Sequence, residues 1–186
     1  MEINNLIIES EKELSSVFAR IESNALFNQQ KVLSAFRNKR IALRHFSGTN
    51  GYGYDDIGRD TLCELFAEVF ETESAIVSPL IANGTHAIST ALFGLLRPGD
   101  TLLSITGNPY DTLMDVVSGE NIGSLKDFNV NFNKIDLDNN GKINLITVED
   151  FLKKHNPSVI FIQRSRGYSW RSALSINEIG NAVSII

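Results

Sequence analysis

One cysteine, Cys63, in a chain of 186 residues leaves no intrachain disulfide to form and excludes a cysteine-rich metal site. No apolar run reaches the roughly 18 to 20 residues that a membrane-spanning helix needs. There is no block of Lys or Arg, and 17 basic against 22 acidic residues give a net charge of -5. Neither nucleic acid nor an anionic membrane is therefore an expected partner. The phosphate-binding spacings of ordinary nucleotide folds are missing too, both the P-loop Gly-Lys-Ser/Thr and the G-x-G-x-x-G fingerprint. The opening "MEINNLIIESEKELSS" carries carboxylates where a secretory signal carries positive charge. Together these absences predict a cytoplasmic protein. The other end lacks a polar tail. "LSINEIGNAVSII" opens as a helix with Ser175 as N-cap and Glu178 in capping-box position, then stops on Ile185-Ile186. That ending reads as an interruption, which predicts part of something larger.

The 42% hydrophobic content is that of a globular chain. Residues 9–40 contain no glycine and read as helical, with Val17, Phe18, Ile21, Val32, Leu33 and Phe36 as the expected apolar face. "HFSGTNGYGYDDIG" then gathers Gly48, Gly51, Gly53 and Gly58 with Tyr52 and Tyr54, more than a simple turn requires. From Arg59 to Glu71 the helical period is clear in Leu62, Leu65, Phe66, Val69 and Phe70. Strands are expected at Ser74–Leu80, Thr101–Thr106, Asn131–Asp136 and Ser158–Gln163. The helices between them start near Ala87, Asp111 and Thr147. Such alternation means βαβ units and a mostly parallel sheet, with ligands outside the carboxyl ends of the strands.

Three loops at those ends draw attention. In "IANGTHAIST", Gly84 and Thr85 open a helix directly after an expected strand; this is either a tight turn or an anion cradle made of unpaired N–H groups. In "TGNPYDT", Tyr110 closes a rigid turn and either lies flat against a planar ligand or caps the sheet edge. In "QRSRGYSWR", Arg164, Arg166 and Arg171 alternate with Tyr168 and Trp170, which suits an anionic ligand or a solvated surface loop. A fourth stretch, "DLDNNGKINLIT", begins like a calcium loop, but Thr147 stands where a bidentate Glu belongs. It is expected to be a solvated turn, and no metal is assigned.

Taken together, "GYGYDDIGRDTL", "NGTHAISTALFGLLRPGD", "GNPYDTL" and "IQRSRGYSWR" resemble the methionine gamma-lyase-related proteins also called aluminium resistance proteins. These are fold-type I pyridoxal-phosphate enzymes, related to cystathionine lyases and aminotransferases. The resemblance runs from about Arg44 to Glu178. It departs at Asn83, where the family usually has Ser, and at Ser172, where it usually has Pro. It implies a three-layer αβα fold with a mostly parallel sheet, the large domain of pyridoxal-phosphate-dependent transferases, here incomplete. Residues 1–45 would form an N-terminal helical arm and residues 46–186 the first part of that domain.

The resemblance also implies roles. Gly84 and Thr85 would bind the cofactor phosphate, and Tyr110 would stack on the pyridine ring, with His86 a second candidate for that face. Tyr54 and Arg59 would reach the phosphate of a neighbouring subunit in a homo-oligomer, a dimer or tetramer. Ser165 and Arg166 would sit near the ring hydroxyl or the carboxylate of an amino-acid substrate, a sulfur amino acid by the family's name. The Schiff-base lysine and the aspartate that holds the pyridine nitrogen lie, in this superfamily, on strands later than Ile186. None of Lys12, Lys31, Lys39, Lys126, Lys134, Lys142, Lys153 and Lys154 stands in such a setting. The chain is thus expected to be the N-terminal part of a carbon–sulfur lyase, inactive alone. The alternative is a non-catalytic remnant acting as an anion-binding or interaction module. Ala75–Leu80 would also lack its strand partner, so an isolated chain is expected to be poorly stable.

Overall fold

The computed structural model describes residues 2–49, 54 and 56–186. The chain divides into two compact units, Met1–Leu80 and Ile81–Ile186.

The first unit is helical. Helix α1 spans Glu2–Glu13 and α2 Ser15–Asn38, followed by a 3₁₀ turn at Leu43–Phe46 and helix α3 at Ile57–Phe70. Asp56 caps α3, its carboxylate accepting from the Arg59 N–H. Polar pairs join α2 to α3: Lys31 to Glu71 at 2.8 Å, Lys39 to Glu64 at 3.2 Å, and the Asn38 amide to Glu68 at 2.7 Å. Exposed pairs of this kind contribute only about 0–1 kcal/mol each. The apolar face expected on α2 is corrected by the structure. Val17, Phe18, Ile21, Leu33 and Phe36 are exposed, Val32 is half-buried, and Ala35 is the buried residue of the helix.

The expected strand at Ser74–Leu80 is also corrected. The segment has no regular secondary structure, ends in a turn at Pro79 and Leu80, and pairs with no strand among the described residues. Val77 turns to a side chain instead: its N–H donates to Cys63 Sγ at 3.4 Å, and the thiol faces its carbonyl at 3.7 Å. Ile76 and Leu80 stay exposed. An apolar run alone does not make a strand when no neighbour takes its ladder bonds.

The second unit has the α/β architecture expected from the sequence. Helix α4 (Gly84–Leu95) leads to strand β1 (Thr101–Ser104), helix α5 (Asp111–Ser118) to β2 (Asn131–Lys134), helix α6 (Leu145–Leu152) to β3 (Val159–Phe161), and α7 spans Ile176–Val183. The sheet is parallel in the order β2-β1-β3, with Thr101 opposite Asn131 and Leu102 opposite Val159. Side chains alternate across it, as the strand period requires. Leu102 faces a core with Leu92, Leu96, Leu113, Val117, Leu125 and Val130, under α4 and α5. Leu103 and Ile105 face Ile135, Ile143, Val148, Leu174 and Ala182, under α6 and α7. Helices therefore cover both faces of the sheet. Leu103 and Ile105 are 0% exposed, and each such side chain contributes about 1.5–3 kcal/mol.

Local signals set the helix ends. Asn83 caps α4 by accepting from the His86 N–H at 2.9 Å. Asn144 caps α6 and starts it at Leu145, two residues before the expected Thr147. The Ser175–Glu178 capping box on α7 is formed as expected. The calcium-like stretch is a self-contained turn, in which Asp138 Oδ1 accepts from the N–H groups of Asn140 and Lys142, both at 2.8 Å. Gly141, with φ +73, supplies the left-handed position the turn needs.

Candidate functional site

A cleft of about 890 Å³ opens in the second unit, lined by residues that follow each strand. Thr106, Gly107 and Tyr110 follow β1, Asp136 and Leu137 follow β2, and Gln163, Ser165 and Arg166 follow β3. It thus lies outside the carboxyl ends of a parallel sheet, where such folds place ligands.

Two helix N-termini meet at its edge. Gly84 and Thr85 are the first residues of α4, so their N–H groups have no intrahelical partner, and among the described residues they have no other. The Thr85 hydroxyl lies 3.2 Å from the Tyr110 hydroxyl and 3.4 Å from that of Thr112, near the start of α5. The chain order gives no hint of this meeting, since 25 residues separate Thr85 from Tyr110. The space around a Cβ built on Gly84 is open for 4 Å. A ligand oxygen can therefore approach that backbone closely.

Tyr110 is half-buried against the core beside α4 and α5. Its N–H donates to Gln163 Oε1 at 3.0 Å. The turn before it depends on Gly107, whose φ of +79 suits glycine; its N–H donates to the Ile135 carbonyl at 2.9 Å, and its carbonyl accepts from the buried Ser104 hydroxyl at 2.6 Å. Asn83 gives its side chain to the helix cap. His86 does likewise: its Nδ1 accepts from the Ala82 N–H at 3.2 Å, and the ring does not line the cleft.

The arginines after β3 divide by role. Arg171 holds the loop, donating to the Ser165 carbonyl at 2.7 Å and the Ser172 carbonyl at 2.9 Å. Arg166 lines the cleft, and its guanidinium has no partner among the described residues. Ser165, Tyr168 and Arg171 line the cleft beside it, while Arg164 and Trp170 are exposed and lie outside its lining. No lysine lines the cleft among the described residues.

Tyr54 and Arg59 belong to the first unit. Tyr54 is exposed, whereas Tyr52, from the same loop, lies outside the described residues. The Arg59 guanidinium donates to Asp60 Oδ1 from Nε at 3.0 Å and from its terminal nitrogen at 2.8 Å. That bond raises its already high pKa. Asp56 is held below the ordinary carboxylate value, chiefly by the Arg59 N–H and then by the Thr49 hydroxyl. Thr112 and Gln163 gain their place at the site from contacts distant in sequence. A hydroxyl near a helix start and an amide at a strand's carboxyl end were the only available signals.

Fold and cleft together define a parallel α/β protein with its candidate site at the carboxyl ends of the strands. The methionine gamma-lyase family profile matches residues 3–186, and the chain belongs to that family. It is 46% identical over 184 residues to the uncharacterized protein YnbB of Bacillus subtilis (strain 168), which covers 96% of this chain and 43% of that protein. Among solved structures, it matches a Listeria innocua protein described provisionally as a cystathionine beta-lyase involved in aluminum resistance. That match has TM-score 0.93 and 46% identity, over 100% of this chain and 46% of that one. A Clostridium novyi NT carbon-sulfur lyase involved in aluminum resistance matches at TM-score 0.90 and 45% identity, over 99% of this chain and 44% of the other. The chain spans less than half the length of these relatives.

Proposed function

We propose that this chain forms the phosphate-holding and ring-holding part of a pyridoxal-phosphate-dependent lyase acting on an amino acid. A sulfur amino acid is the proposed substrate class and carbon–sulfur cleavage the reaction. The observation that carries this reading is the meeting of Thr85, at the unpaired start of α4, with Tyr110 beside a cleft lined by the unpartnered Arg166. The names of the relatives support the chemistry.

The residues present fit the cofactor. Two unpaired N–H groups, a hydroxyl and the positive end of a helix dipole suit a phosphate, and the open space at Gly84 admits it. Bound there, pyridoxal phosphate supplies the electron sink that lets a bond at the amino acid Cα break. The remaining work falls to the chain. Gly84 and Thr85 hold the phosphate, and Tyr110 lies against the ring. Arg166 and Ser165 orient the ring hydroxyl or the substrate carboxylate. In a homo-oligomer, Tyr54 and Arg59 of one protomer reach the phosphate of its neighbour, with Arg59 exchanging Asp60 for that anion. The anchoring lysine and the aspartate for the pyridine nitrogen are assigned to the part of the longer relatives that this chain does not cover.

The absence of lysine from the described cleft lining favours a second reading, in which the chain is a non-catalytic anion-binding module. The two readings part on the ring. A catalytic ancestry predicts that the chain binds pyridoxal phosphate more tightly than inorganic phosphate, whereas a bare anion site binds both alike. Equilibrium titration with the two ligands tests this directly.

A further inference from the structure

Gln163 is half-buried at the carboxyl end of β3, and its N–H and both side-chain polar atoms are engaged with the two loops that follow β1 and β3. Its N–H donates to the hydroxyl of buried Thr106 at 3.0 Å, fixing the backbone beside β1. Its side-chain oxygen accepts from the Tyr110 N–H at 3.0 Å. Its side-chain nitrogen donates to the Ser165 carbonyl at 3.2 Å, the same carbonyl that Arg171 holds. An N–H on one side and a carbonyl on the other fix the orientation of the amide, because only one flip satisfies both. No other side chain of this length carries an acceptor and a donor on one carbon. Glutamate would keep the bond to Tyr110 and face the Ser165 carbonyl with a second oxygen, and asparagine is one methylene short.

We infer that Gln163 is a positioning residue that sets the Tyr110 loop and the Ser165–Arg166 loop against each other across the cleft. This rests on the cofactor reading above, which makes Tyr110 the ring contact and Arg166 the anion contact. Gln163 has its side-chain polar atoms taken up by the two loops. It acts through the two loops it ties, so its loss should disturb recognition of the ring and leave the cradle at Gly84 and Thr85 intact.

The test uses the 186-residue chain with Gln163→Ala and Gln163→Glu, read by amide hydrogen exchange and by titration with pyridoxal phosphate and inorganic phosphate. In Gln163→Ala, exchange at Tyr110 should quicken about tenfold on loss of one half-buried hydrogen bond, with Leu103 in the core of β1 unchanged. Pyridoxal phosphate should bind about tenfold more weakly and inorganic phosphate within about twofold of the parent. In Gln163→Glu, Tyr110 should stay protected while Ser169, whose N–H closes the second loop onto the Arg166 carbonyl, exchanges faster. Unchanged exchange at Tyr110 in the alanine variant overturns the inference. So does equal acceleration at Tyr110 and Leu103, which would mark a general loss of structure, or equal weakening of both ligands. If the parent chain binds the two ligands equally well, the cofactor reading fails, and the exchange pattern alone decides whether Gln163 ties the loops.

Discussion

The hydroxyl of Thr85, at the start of α4, lies 3.2 Å from the hydroxyl of Tyr110, at the start of α5. Two loops that follow different elements are thereby closed onto each other beside one cleft. Tyr110→Phe removes this bond and keeps the ring, so it should lower stability by about 0.5–1.5 kcal/mol. Tyr110→Ala also removes the ring from the core and should cost about 2 kcal/mol or more. Urea unfolding of the two variants checks the order.

Gly107 is the tightest point of the site. With φ +79 it occupies a conformation that strains any other residue, and an added Cβ would stand 3.1 Å from Asp136 Oδ1. Gly107→Ala should destabilise the chain by about 1 kcal/mol or more. It should also displace the Tyr110 turn, seen as a change in tyrosine near-ultraviolet circular dichroism. An unchanged melt and spectrum would show that the turn tolerates the side chain.

Much of this arrangement is legible in the sequence, and the parts that are not share a cause. The helical period of Leu62, Leu65 and Phe66 and the capping box at Ser175 and Glu178 are local features, and local features survive into the structure. The turn at Asn139, Asn140 and Gly141 also reads correctly, because its Asp138 carboxylate has backbone partners within four residues. Ser74–Leu80 reads as a strand because it is apolar, but a strand needs a neighbour, and sequence alone does not supply one. The same limit applies to Phe18 and Phe36, whose spacing marks an apolar face without saying what covers it. Gln163 is hidden for the opposite reason. Its meaning lies in contacts 53 and 57 residues away, with Tyr110 and Thr106.

The side chain of Asn83 caps α4 through the His86 N–H. Asn83→Ala should cost about 1 kcal/mol, whereas Asn83→Ser should cost only a few tenths because either side chain caps a helix. Thermal unfolding of both variants distinguishes a cap from an uninvolved residue. If alanine and serine behave alike, the cap contributes nothing.

Two carboxylates held below their ordinary values contribute to the loss of stability in acid. Asp127 accepts from the N–H groups of Asn121, Gly123, Ser124 and Ile122, which hold its pKa below the ordinary 3.8. Glu178 is held below 4.5 chiefly by the Ser175 N–H and then by the Ser175 hydroxyl. A lowered native pKa means that the unfolded chain binds protons first as pH falls. The stabilisation is therefore complete above the ordinary values and is lost as pH drops through the lowered ones. Asp127→Asn should flatten the fall in stability below about pH 4. An acid limb that keeps its slope in this variant would remove Asp127 from the explanation.

The central claim is that the start of α4 and Tyr110 form one site for a phosphate and the ring attached to it. It is tested most directly by titrating the chain with pyridoxal phosphate, pyridoxal and inorganic phosphate, alongside Thr85→Val and Tyr110→Ala. Thr85→Val should weaken pyridoxal phosphate and inorganic phosphate by about tenfold and spare pyridoxal. Tyr110→Ala should weaken pyridoxal phosphate and pyridoxal by a similar factor and spare inorganic phosphate. A parent chain that binds pyridoxal phosphate no better than pyridoxal, or two variants that leave its affinity unchanged, would contradict the account.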